Sequence, residues 1–234
     1  MLTDIMVIYY YNIIGDKMDI TNNLFTPINT IKQALSVVEG LTTTSKMPSS
    51  SYSIPANKCI KGSRLRQIKG SVCSSCYALK GNYKRYPAIV EAQERRLLSI
   101  NKPEWVSAMV YLISNKKDIR DKGVFRWHDS GDLQSVEHFD KILSVVRQTP
   151  TIKHWLPTKE SRIIKNYKGD LPNNIVIRLS GSMVDGKAPL YSNTSTVVTD
   201  KSKATCKSFD NNGECGECRK CWDKGIKNIS YLAH

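Results

Sequence analysis

The sequence predicts an α/β fold: a single domain on a parallel sheet, in the form of a partial or irregular βα (TIM-like) barrel with cysteine-rich loops. Three observations predict it. Short apolar or β-branched runs alternate with helical patterns, a polar cluster follows each of the first three runs, and 234 residues suit one well-buried core.

In chain order, the apolar start from Ile5 to Ile14 (IMVIYYYNII) predicts an edge or core strand. It is far shorter than the roughly 20 residues that span a bilayer, and it lacks the basic leader and small-residue cleavage site of a secretory signal. Residues 1–45 are expected to form an N-terminal extension packed on the core, and residues 46–234 the domain itself. Pro87 opens a predicted helix to about Ile100 and Pro103 another to about Asn115, because proline suits a first helical turn. Trp105, Val106, Met109, Val110 and Ile113 give the second an apolar stripe. Strands are predicted at Val124 to Trp127, Ile152 to Leu156, Ile175 to Leu179 and Thr196 to Thr199. Between the first two, Val136, Phe139, Ile142, Leu143 and Val146 form a helical stripe with Ser135 as N-cap; between the next two, Glu160 to Tyr167 forms a shorter helix. Strands separated in this way make parallel βα units, and the number visible suits a partial barrel better than an eight-fold one.

Lys and Arg number 35 against 21 Asp and Glu, a formal net charge of +14. Such a surface attracts polyanions, so nucleic acid or a small anionic molecule is an expected partner, and no membrane is. The excess is spread along the chain without a basic tail, which equally suits a solvated face. Tyr83, Arg85 and Tyr86 beside Lys80 and Lys84 form an aromatic and basic patch of the kind that stacks on bases.

Seven cysteines fall in two groups around a middle that has none. With no secretory signal, a reducing compartment is expected, where clustered thiols bind metal or do chemistry; an odd number would also leave a disulfide framework incomplete. Cys206, Cys215, Cys218 and Cys221 read C-x8-C-x2-C-x2-C on a loop rich in Asn, Gly and Lys. Zinc sites favour separated CxxC pairs, whereas a CxxCxxC run resembles the loop that wraps an iron–sulfur cluster, so iron–sulfur is the first expectation and zinc the alternative. Cys59, Cys73 and Cys76 supply three thiolates, and three protein ligands leave one position open, the mark of a reactive metal. One closed centre and one open [4Fe-4S]-type centre are therefore expected. Cys206 could instead complete the first group, or a histidine could serve as a fourth ligand.

The polar clusters after the strands are expected to converge on one face, because the carboxyl ends of parallel strands carry the site. In the run from Arg126 to Asp132 (RWHDSGD), Gly131 permits a tight turn that would aim His128, Asp129, Ser130 and Asp132 at a cavity. His128 is a candidate acid, base or ligand, with Asp129 or Asp132 to orient it. Capping of the next helix would use the same residues. Lys159 is a candidate anion contact, as are Arg178, Ser180 and Ser182 around Gly181 (RLSGS), since an arginine fork and amides near glycine suit oxyanions. His154, inside a strand, reads as a packed, hydrogen-bonded residue. No GxxxxGK[ST], GxGxxG or HExxH is present, so phosphate-loop hydrolysis, dinucleotide binding and zincin proteolysis lack support.

Lys58-Cys59, then CSSCYALKG (Cys73 to Gly81), FRWHDSGDL (Phe125 to Leu133) and CGECRKCW (Cys215 to Trp222), in that order, resemble the phage protein family named for gene product 88. The resemblance runs from about Lys46 to His234. It implies a virally encoded protein with iron–sulfur clusters, working in the cytoplasm of the infected bacterial host. The layout is also similar to radical S-adenosylmethionine enzymes, in which three cysteines bind a cluster with one open iron at the mouth of a βα barrel. Their CxxxCxxC is replaced here by C-x13-C-x2-C, which argues against S-adenosylmethionine as a cofactor. Three functions follow. The first is an enzyme whose open iron faces His128, Asp132, Lys159 and Arg178; the others are a metal-stapled nucleic-acid-binding protein and an electron carrier.

Overall fold

A computed structural model describes residues 27–233, so the predicted N-terminal strand lies outside the described residues. Six strands form one all-parallel sheet whose spatial order is the chain order: β1 (Ser51–Tyr52), β2 (Val124–Trp127), β3 (Lys153–Thr158), β4 (Ile175–Val184), β5 (Thr194–Val198) and β6 (Asn228–Leu232). Eight helices accompany it among the described residues: α1 (Ile31–Val38), α2 (Ile60–Leu65), α3 (Asn82–Arg85), α4 (Pro87–Ser99), α5 (Trp105–Asn115), α6 (Lys117–Lys122), α7 (Val136–Gln148) and α8 (Ser161–Asn166). Pro87 stands at the first helical position of α4, and the Ser135 hydroxyl caps α7 by accepting the His138 amide at 3.1 Å. Gly123, left-handed at φ 64°, ends α6 and turns directly into β2.

Alternation along the strands builds two faces. Phe125 and Trp127 of β2, Leu156 of β3, and Ile175 and Ile177 of β4 face the helices, where they join Trp105, Met109, Leu112, Phe139 and Ile142 in the main core. Ala34 and Val38 of α1 are fully buried in this core. Tyr52 of β1 is buried between Trp105 and Trp127, with ring centroids 5.7 and 6.4 Å away. The other face carries Val124, Trp155 and Ile229, and on it lie Cys221 and Trp222 from the segment that joins β5 to β6. Trp222 clamps that segment across the sheet by donating its indole N–H to the Phe125 carbonyl at 2.9 Å.

Two strands carry no sequence signal. β1 has only two residues, and β6 (NISYL) alternates weakly; both exist because β2 and β5 present parallel partners to them. β4 extends five residues past its predicted end because its far half pairs with β5, through a register shift between Ser180 and Val184.

Candidate functional site

The carboxyl ends of β1, β2 and β3 meet at the first cysteine group. Cys59 directly precedes α2, and a short 3-10 turn (Val72–Ser75) contains Cys73 and ends at Cys76. That turn is fixed to the end of β4 by an antiparallel bridge between Ser71 and Met183 and by the Val184 amide donating to the Gly70 carbonyl at 3.0 Å. Gly62 lets the group close up. A Cβ there would stand 2.8 Å from the Cys59 Cβ and 3.7 and 3.8 Å from the Cys59 and Cys73 sulfurs, so the two thiols lie beside the same bare patch of helix. Burial pushes the Cys59 thiol well above its ordinary value, and Asp132, Cys76, Cys73 and Glu160 push the same way. Burial also raises Cys73, against which the Lys159 ammonium works.

Three residues from the strand-end loops surround this group. Asp132 is almost fully buried and accepts the Thr158 hydroxyl at 2.6 Å and the Leu133 and Lys159 amides, each at 2.8 Å. Burial raises its carboxyl to about 6 in spite of those three bonds. The same contacts tie the loop after β2 to the loop after β3. Lys159 donates its ammonium to the Gly181 carbonyl at 2.8 Å and lies within electrostatic reach of Cys73, Asp132 and Cys76; burial lowers its pKa. Glu160 accepts the Lys61 amide at 2.6 Å, which locks the start of α2 to the end of β3.

The second group lies against the far face of the sheet. Cys206 is placed by donating its amide to the Ser230 carbonyl, and Cys215 by donating to the Lys46 carbonyl, both at 3.0 Å. The Cys218 amide closes a tight turn onto the Cys215 carbonyl at 3.0 Å. Cys221 is buried with its sulfur 3.3 Å from the Tyr231 hydroxyl. Burial pushes Cys221 to about 11, with Tyr231 and Arg126 acting in the opposite sense and Cys206 and Cys215 raising it further. All seven cysteines are free thiols, and the termini of the domain thus form two separate groups, three and four. Among the described residues, no three His, Cys, Asp or Glu side chains form a ready metal-holding set.

Arg178 occupies a different place from the one expected of it beside Lys159. It is fully buried, and its guanidinium donates to the carbonyls of Cys221 at 3.1 Å, Thr194 at 3.4 Å, Ile226 at 2.9 Å, Lys220 at 3.0 Å and Asp223 at 2.8 Å. Five acceptors match the five N–H donors of an arginine, so none remains for an anion; Arg178 positions the last turn of the four-cysteine loop. Strand alternation is the reason, since it aims residue 178 at the face opposite Ile177.

His128 also departs from expectation. Its left-handed backbone (φ 53°) ends the alternation of β2, and its ring packs edge-on against His138 of α7 at 5.3 Å between centroids. Burial holds its pKa well below the usual histidine range, and neither ring nitrogen has a hydrogen-bond partner among the described residues. Ser130 gives its carbonyl to the Ile54 amide at 3.0 Å while its hydroxyl is buried without a partner, and Gly131 (φ 83°) lies against Ile54. These three hold the loop rather than face the thiols. Ser180 accepts a hydrogen bond from Ser195 at 3.0 Å, and Ser182 shares a cleft with it. His154 is packed as expected: the Trp127 indole donates to Nδ1 at 3.3 Å and Thr149 lies 2.9 Å from Nε2.

Three residues contribute in ways that the sequence did not assign to them. Arg126 stacks over Trp155 at 4.5 Å and lies within electrostatic reach of Tyr77 and Asp129 as well as Tyr231 and Cys221, so it touches the surroundings of both thiol groups. Tyr77, itself close to Cys76, bonds the Asp129 carbonyl. Tyr83 donates to the Asp129 carboxylate at 3.3 Å, which removes it from the predicted base-stacking patch, while Tyr86 remains half exposed.

A parallel α/β sheet with thiol groups at its strand ends and on its far face defines the class of this protein. The family model for Gene product 88 matches residues 26–224, and the chain belongs to that phage protein family. No curated protein and no solved structure matches the chain. No helix among the described residues is long and apolar enough to cross a membrane.

Proposed function

We propose that this chain is a phage-encoded iron–sulfur enzyme of the host cytoplasm, acting on a small anionic molecule or on sulfide. Cys59, Cys73 and Cys76 would hold a [4Fe-4S]-type cluster with one open iron, and Cys206, Cys215, Cys218 and Cys221 a second, closed one. The observation that carries this reading is the division of seven free thiols into a trio and a quartet, each brought together from separated segments. The donor set fits. Burial and neighbouring thiols raise the pKa of Cys59, Cys73, Cys215 and Cys221, so these four are costly to ionise alone, and a cationic centre among them removes that cost. Gly62 leaves the trio uncovered where a side chain would intrude.

The six parallel strands in chain order support the finer reading of a partial βα barrel, with the quartet loop covering the face that further strands would enclose. When bound, an open iron supplies Lewis-acid or one-electron chemistry. The chain's own residues do the rest. Lys159 presents a cation beside Cys73 and Cys76 and orients an anion there; Asp132 fixes the Lys159 amide and holds a proton in the near-neutral range. Arg178 and Trp222 keep the quartet loop on the sheet.

Anaerobic purification with iron and acid-labile sulfide counts tests the reading. Cys73→Ser is expected to remove one cluster's iron and Cys215→Ser the other's. A colourless protein that contains only zinc overturns it.

A further inference from the structure

A cleft of about 400 Å³ opens at the carboxyl end of β4, next to the trio. Lys61, Lys165 and Lys187 line it, from the helix after Cys59, from α8 and from the segment that returns to β5. Ser161, Ser180 and Ser182 share its wall. We propose that this cleft binds a small phosphate ester of mononucleotide size.

Charge is the first reason. Among the described residues none of the three lysines makes an ion pair, although nine such contacts occur elsewhere. Glu160 stands at the Lys61 amide, but the lining of the cleft itself holds no carboxylate; three cations around one concavity repel one another, and an anion of more than one charge relieves that repulsion. Phosphate offers several acceptor oxygens to ammonium and hydroxyl donors at once. The second reason is the apolar rim. Leu190 is completely exposed (102%) and Met183 partly so (38%), and Leu179 and Pro189 also line the cleft, so its apolar part suits a flat apolar body rather than a second charge. The volume lies within the roughly 300–1,000 Å³ of small-molecule sites. A second basic cleft, about 650 Å³, lies at the amino ends of β3 and β4, but there Asp223 adds negative charge and Arg219 already pairs with Glu217 at 3.9 Å.

The position adds function to the binding. Lys159 joins the two regions: its ammonium donates to Gly181, between the two cleft serines, while standing close to Cys73. The inference deepens the proposed function, on which it rests for the chemistry that the bound molecule would meet; binding itself does not require a cluster.

Isothermal titration of the full chain with adenosine monophosphate, inorganic pyrophosphate and, as a neutral control, adenosine tests the proposal. The phosphate compounds are expected to bind and adenosine to bind at least about tenfold more weakly, a difference of about 1.4 kcal/mol. Lys165→Glu and Lys187→Glu, both exposed positions, are expected to lower affinity about tenfold or more each with unchanged melting temperature, and Lys153→Glu in the other cleft to leave it unchanged. Leu190→Ser is expected to weaken adenosine monophosphate but not pyrophosphate. Failure of both phosphate compounds to bind at millimolar concentration, or binding that Lys165→Glu and Lys187→Glu leave intact, overturns the proposal. So does binding of a single-stranded oligonucleotide without either small molecule. Iron counts on the same samples report separately on the cluster.

Discussion

Replacing Arg178 by alanine is expected to release the end of the four-cysteine loop. Four of its five hydrogen bonds are between 2.8 and 3.1 Å, and the Thr194 contact, at 3.4 Å, is weak. At a net ~1 kcal/mol for each good bond, and with buried carbonyls left unpaired, the loss is roughly 4 kcal/mol, a large share of a domain's stability. Lysine keeps the charge but offers three donors in place of five, so Arg178→Lys is expected to cost about half as much. Urea unfolding at neutral pH gives the stability, and the alkylation rate of Cys221, now buried, reports loop release directly. An alanine variant within about 1 kcal/mol of the parent, with Cys221 still protected, would refute the assignment of Arg178 to loop positioning.

Three further outcomes are expected. His154 is neutral in the folded protein, where burial lowers its pKa from 6.5 to about 3. A depressed folded value means that the unfolded chain takes up the proton first, so stability is complete above pH 6.5 and falls toward pH 3 by up to about 1.4 kcal/mol per pH unit. His154→Gln should flatten the slope of unfolding free energy between pH 6 and 4 by about one proton, and an unchanged slope contradicts this origin. Gly131→Ala places a Cβ 2.3 Å from the Ile54 Cγ1 and 2.6 Å from its carbonyl oxygen, at a φ of 83°; a loss of about 2 kcal/mol or more is expected by thermal melting, and a neutral result would show that the turn can relax. Gly62→Ala should push against Cys59, lowering iron content and changing the alkylation rate of Cys59 and Cys73 while Cys215 and Cys218 react as before. Unchanged reactivity at all four removes the claim that Gly62 makes room for the trio.

The legible part of this protein followed periodicity and punctuation. Val124–Trp127 occupies its predicted limits, α4 begins at Pro87, and Ser135 caps α7, because each depends on local chemistry: alternating apolar residues, a fixed proline φ, a hydroxyl beside free amides. Two cysteine-bearing segments were also visible in the spacing, which left Cys206 open to either group; its amide hydrogen bond to the Ser230 carbonyl places it with the second. Misplacement began where direction mattered. Arg178 and Lys159 share one strand parity, since Pro157 pairs with Arg178, yet Arg178 lies within β4 and is clamped under the quartet loop while Lys159 lies just past the end of β3 and reaches Gly181 beside Cys73. The positive φ at His128 broke the same parity on β2.

Composition and local pattern alone thus determined a basic α/β chain with parallel strands and two thiol-bearing loops, since charge, period and turn residues act over a few positions. Tertiary structure decided which of those residues share a space. It paired β1 and β6 with the sheet, set Arg126 between Cys221 of the quartet and Tyr77, the neighbour of Cys76, and gathered three lysines from distant segments around one cleft. Such arrangements depend on strand register and on which face a side chain leaves, and those are fixed only when the whole sheet closes over its core.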